Sequence, residues 1–160
     1  AVGTDADYEH YLSNFRTATT PQEQLRFMYA LAEFPHAAQV QRTIDLAFSG
    51  DVKTQNAPFL LSRCIANRRH GEMAWAQVRR QWDTANDRFP GNTIVRMIDT
   101  VKTLTAPSVV ADVQTFFSEH PIPQATKTLD QVLERQRVNA AMRVREEQRF
   151  AESLASDQSN

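Results

Sequence analysis

Trp75, Val78, Trp82, Ala85 and Phe89 follow one another at alternating spacings of three and four, the period of one face of an α-helix. Stripes of this kind recur nearly everywhere in the sequence. Alternating apolar and polar runs bounded by Asn-Gly or Asp-Gly turns are absent, so the expected fold class is all-α. Four glycines and seven prolines among 160 residues leave few places to break a helix, and most of them fall between the stripes.

The first helix is expected from about Asp5 to Ala18. Thr20-Pro21-Gln22-Glu23 then spells a helix start: Thr20 can accept from a free amide, Pro21 suits the first helical position, and Glu23 can reach back to the cap. The second helix presents Leu25, Met28 and Ala32, and Pro35 ends it or opens the third, where Val40, Ile44 and Ala47 lead to a stop at Gly50. A fourth helix is expected over roughly Thr54 to Arg69, with Pro58 tolerated in its first turn or at a bend. The fifth runs from Glu72 to Phe89 and is closed by Pro90-Gly91. A sixth carries Ile94, Ile98 and Val101, and a seventh Val109, Val113 and Phe116 before the rigid turn His120-Pro121-Ile122-Pro123. The last begins near Thr126 with Leu129, Leu133, Gln136 and Ala140, and becomes mostly charged from Arg143 to Gln148. About eight helices with short loops suggest antiparallel pairs stacked into an α-superhelix, a degenerate solenoid of the HEAT or armadillo type. A compact bundle is the alternative arrangement.

This length fits a single helical domain over residues 1–160, with a substantial core. Lys and Arg number 18 against 19 for Asp and Glu, and a net charge of -1 offers no field for a nucleic-acid backbone. Cys64 is the only cysteine, which excludes an internal disulfide framework and suits a small buried thiol in a reducing, cytoplasmic setting. No window approaches the roughly 20 apolar residues of a membrane span, so no membrane partner is expected. His10, His36, His70 and His120 are too far apart for the paired-histidine helix of a zinc peptidase. A Gly-x-Ser-x-Gly elbow, a phosphate-binding glycine loop and a Cys-His signature are also missing. Catalysis and metal binding by this chain alone are therefore not expected.

Two stretches carry a resemblance. One holds Gly71, Ala74-Trp75, Arg79 and Trp82-Asp83; the other runs Phe116-Phe117-Ser118-Glu119-His120-Pro121-Ile122-Pro123 and continues through Thr128-Leu129, Gln131, Leu133-Glu134 and Asn139. Together they resemble the C-terminal helical domain of zinc aminopeptidases, the family of aminopeptidase N, the puromycin-sensitive enzyme and the endoplasmic-reticulum aminopeptidases. Val52 with Thr54-Gln55-Asn56 is similar to a further element of that family, except that Asn56 replaces an acid. These are chiefly packing motifs, and they specify a fold better than a site.

The resemblance implies a non-catalytic part of a larger enzyme that removes N-terminal residues from peptides. Zinc, its ligands and the general base would lie in a catalytic domain elsewhere in the same polypeptide. This domain would help wall the chamber around the active site and influence which peptides enter. Basic residues on its inner face would receive the carboxyl end of a peptide or contact that catalytic domain. The candidates are Arg63, Arg68, Arg69 and His70, at a helix end and the loop after it, followed by Arg79 and Arg80. Cations at a helix C-terminus also simply offset the carbonyl dipole. The start Ala1-Val2-Gly3, without an initiator Met, fits a C-terminal fragment. The competing expectation is a stand-alone helical-repeat module that binds protein segments.

Overall fold

The computed structural model describes residues 3–157. Among them are nine α-helices, two short 3-10 turns and no strand, so the all-α expectation is met. The chain divides into two compact units, Ala1–Thr100 and Val101–Asn160.

The first unit contains α1 (Asp5–Thr17), α2 (Pro21–Leu31), α3 (Ala37–Ser49), α4 (Ala57–Ala66), α5 (Gly71–Arg80), α6 (Trp82–Arg88) and α7 (Gly91–Ile98). Their starts follow the capping chemistry of the sequence. Thr20 accepts from the Glu23 amide at 3.3 Å with Pro21 in the first turn of α2, as expected. A full reciprocal box forms at Thr4, whose hydroxyl accepts from the Asp7 amide while the Asp7 carboxylate accepts from the Thr4 amide at 2.9 Å. Gly50 ends α3 with φ 103°, a left-handed conformation that costs glycine little. Pro58 lies in the first turn of α4, where its missing amide removes no helical hydrogen bond.

The core of this unit is built largely by the expected stripes. Met28, Ala32, Val40, Ile44, Ala47, Trp75, Val78, Trp82, Ala85 and Phe89 are buried, while Leu25 is only half-buried, and Leu60 and Leu61 of α4 join the core. Helix α4 packs against α3, α5 and α7, and α1 against α2. The thiol of Cys64 is enclosed on α4, and burial pushes its pKa up.

Two boundaries depart from expectation. The fifth helix was expected to run unbroken to Phe89, but the backbone leaves the helix at Gln81 (φ −106°, ψ 21°) and restarts at Trp82. The Gln81 amide is shared between the carbonyls of Gln77 (3.3 Å) and Val78 (3.1 Å), which tightens the last turn of α5. The fourth helix stops at Ala66 instead of near Arg69, because Asn67 turns its side chain back onto the protein.

The second unit contains α8 (Pro107–Glu119) and α9 (Thr126–Asp157), which pack on each other and are joined through a 3-10 turn over Pro123–Ala125. A 3-10 segment, Asp99–Thr103, leads in from α7 and carries the buried Val101. Val113, Phe116, Phe117, Ile122, Leu129 and Val132 form this core. Three side chains of α9 hold the segment before α8: Gln136 donates to the Leu104 carbonyl (3.0 Å), Asn139 to that of Lys102 (2.9 Å), and Arg143 to the Thr105 hydroxyl (3.1 Å). From residue 141 to 155 every side chain of α9 is exposed, Phe150 by 67%. This half is supported within itself by ion pairs such as Arg143–Glu147 at 2.7 Å.

Candidate functional site

The loop between α4 and α5 is organised by Asn67. Its side-chain amide donates to the carbonyls of Ala32 (2.8 Å) and Phe34 (3.2 Å), and its side-chain oxygen accepts from the backbone amides of Arg69 and His70, both at 3.0 Å. Two loops, 32–36 and 67–70, are thereby tied together by one buried carboxamide. An Asn just past the last apolar residue of a helix is a stop signal in sequence; its reach to another loop is not.

The basic residues sit around this knot. Arg63, in the last turn of α4, lays its guanidinium over the ring of Tyr29 at 4.5 Å, with the Glu33 carboxylate 3.9 Å away. Arg68 and Arg69 are exposed, and their guanidinium groups have no partner among the described residues. His70 is half-buried at the start of α5, its Nε2 2.8 Å from the Pro35 carbonyl. Arg79, half-buried, and Arg80, exposed, lie in the last turn of that ten-residue helix. Ten residues of helix span about 15 Å, so the two groups stand at opposite ends of α5. The structure thus gathers Arg68, Arg69 and His70 in one turn, with Arg63 in the last turn of the preceding helix, and leaves Arg79 and Arg80 apart.

This arrangement can meet an anion. It supplies two unengaged guanidinium groups, able to hold a carboxylate bidentately, beside an imidazole whose Nε2 is already committed to the chain. Nucleophilic chemistry has no support at the loop, and the Cys64 thiol is sealed in the core. Zinc does not fit the described residues. No cluster of three His, Cys, Asp or Glu able to hold a metal occurs among the described residues. Three of the four histidines have a ring nitrogen engaged locally: His10 with Asn14, His70 with Pro35 and His120 with the Phe116 carbonyl. No helix among the described residues is long and apolar enough to cross a membrane. Trp75, Trp82, Phe116 and Phe117, the aromatic residues of the two motif stretches, are buried, as packing residues should be.

The described residues form an all-α chain with packed aromatic motifs and a cationic loop. The chain belongs to the family of the ERAP1-like C-terminal domain, which it matches over residues 1–138. It is 31% identical to aminopeptidase M1-A of Oryza sativa subsp. japonica over 136 residues, covering 84% of this chain and 15% of that protein. It is 34% identical to endoplasmic reticulum aminopeptidase 2 of Homo sapiens over 98 residues, 59% of this chain and 10% of that protein. With glutamyl aminopeptidase of Rattus norvegicus it shares 26% identity over 141 residues, 82% of this chain and 14% of that protein. The matched part of the chain therefore spans only 10% to 15% of the length of these relatives.

Proposed function

We propose that this chain is the C-terminal part of a zinc-dependent aminopeptidase, and that it shapes access to the active site without performing the chemistry. The carrying observation is the family match over residues 1–138, together with relatives named as aminopeptidases. Residues 1–160 form the helical domain of that reading, and the catalytic domain of the same polypeptide is its first partner. Zinc, supplied there, would polarise the scissile carbonyl and activate water. The helices here would form part of the wall of a closed chamber, and peptides are the second partner.

Arg68, Arg69 and His70, with Arg63 behind them, receive the carboxyl end of a peptide or a carboxylate of the catalytic domain. Arg79 and Arg80 serve a second contact at the far end of α5. Support comes from the unengaged guanidinium groups of Arg68 and Arg69 and from the loop that Asn67 holds. We place the enzyme in the cytoplasm, in keeping with a lone, buried, reduced thiol.

An antibody raised against this chain, used on lysate of the source cells, tests the reading. A band several times larger than 18.2 kDa, whose immunoprecipitate releases N-terminal residues from peptides and loses that activity to a zinc chelator, is the expected result. A sole band at the size of the chain itself overturns it and favours a stand-alone module that binds protein segments. In the larger protein, Arg68→Ala/Arg69→Ala is expected to raise KM for peptides with a free carboxyl end and to leave amidated peptides unchanged.

A further inference from the structure

Between the start of α1 and the end of α2, the first unit leaves open a groove of about 470 Å3. Its walls combine two chemistries. The rings of Tyr11 and Phe34 meet edge to face at 5.7 Å, and Phe27 meets Tyr11 the same way, also at 5.7 Å. Tyr11 remains 36% exposed, a large aromatic surface open to solvent. Asp7 and Glu33 add carboxylates from α1 and from just beyond α2.

Both acids retain unused capacity. Asp7 gathers the Thr4 hydroxyl (2.8 Å), the Thr4 amide (2.9 Å) and the Gly3 amide (3.3 Å) on Oδ2, and its Oδ1 has no hydrogen bond among the described residues. These bonds hold the Asp7 carboxyl below the ordinary range, so it is ionised at neutral pH. The Glu33 side chain is 64% exposed, and its cation, Arg63, is 3.9 Å away with its guanidinium drawn over Tyr29. Among the described residues, no Lys or Arg lines the groove.

We propose that this groove binds a cationic side chain of a peptide segment, and prefers arginine to lysine. Charge complementarity selects the occupant. Two carboxylates repel an acidic group, and an apolar side chain would leave them without a counter-charge. A guanidinium pairs with carboxylate through parallel N–H donors, lies flat against an aromatic ring, and sheds water more readily than an ammonium. The volume suits a single side chain with its flanking backbone, at the small end of ligand clefts. This inference is independent of the aminopeptidase reading, because it uses only residues of this unit.

The test is an amide-resolved NMR titration of the 160-residue chain with acetyl-Gly-Arg-Gly-amide and with the same peptide carrying citrulline, which keeps the shape and removes the charge. Saturable shifts at the amides of Gly3, Asp7, Tyr11 and Glu33 are expected with arginine, about tenfold weaker with citrulline, and weakened by salt. Glu33→Gln, a surface change that the fold tolerates, is expected to weaken arginine binding about fivefold, and Arg63→Gln to strengthen it by freeing Glu33. Equal affinity for the citrulline peptide overturns the proposal. So does a lack of saturable shifts at tens of millimolar arginine peptide. Shifts that follow protein concentration, with sedimentation showing dimers, would seat a second copy in the groove and overturn it as well.

Discussion

The Nε2 atom of His70 lies 2.8 Å from the carbonyl oxygen of Pro35, across 35 positions of sequence. A carbonyl only accepts, so Nε2 carries the proton, and Nδ1 can donate to an incoming carboxylate only in the doubly protonated ring. The ring therefore pins the 67–70 loop as well as belonging to its cationic group. His70→Phe is expected to cost about 1 kcal/mol, because it strands the Pro35 carbonyl, and urea unfolding reads that loss directly.

Asn67→Ala should be costlier. It removes two donated and two accepted hydrogen bonds at a residue that is 8% exposed, leaving two carbonyls and two amides to find water. The expected loss is about 2–4 kcal/mol in urea unfolding. Asn67→Asp keeps both accepted bonds but turns a carboxylate toward two carbonyl oxygens, and is expected to be no better than Ala.

Cys64 sets a pH dependence. Burial raises the thiol pKa in the folded protein, so its contribution is fully present below the unfolded value near 9 and is lost as pH rises beyond it. Stability is expected to fall above pH ~9 by up to about 1.4 kcal/mol per pH unit from this group, the slope for one proton. Tyr8, also raised by burial, adds a second loss that begins near its unfolded value of 10. Denaturant midpoints at pH 8 and pH 10 should differ less in Cys64→Ala than in the parent sequence. In native protein at neutral pH, a thiol reagent should label Cys64 only as fast as the core opens.

Removing residues 145–160 is expected to change stability by about 0.5 kcal/mol or less, since all side chains from 141 to 155 are exposed. Cutting before Gln136 removes the buried hydrogen bond to Leu104 and should unfold the second unit. Thermal melts of the two truncations make the comparison.

Gly3→Ala probes a tighter spot. Gly3 has φ 98°, and a Cβ there would lie 2.5 Å from Cδ of Pro35, so both backbone and packing resist the methyl group. A loss of about 1–3 kcal/mol is expected, again by urea unfolding.

The parts of this fold legible in sequence were those fixed by neighbours a few residues apart. The stripe from Trp75 to Phe89, the Thr20 cap and the Gly50 stop follow from helical period and backbone preference, and they stand where expected. The break at Gln81 was not legible, because neither Gly nor Pro marks it and it shows only in the Gln81 amide shared between the Gln77 and Val78 carbonyls. Nor was the reach of Asn67, whose partners lie 33 and 35 residues away. For the candidate site, the sequence supplied the cations Arg68, Arg69 and His70, while the turn they share is held by the adjacent Asn67, whose own anchors on Ala32 and Phe34 are remote in sequence. The groove beside Tyr11 gave no motif at all: its acids, Asp7 and Glu33, are 26 positions apart and meet only through the packing of α1 on α2.

Asn67 also joins the opening of two loops in the first unit. Its amide holds the carbonyls of Ala32 and Phe34, and its oxygen holds the amides of Arg69 and His70. The loops 32–36 and 67–70 cannot part without breaking bonds to this one side chain, so hydrogen exchange at the Arg69 and His70 amides is expected to record both as a single opening event.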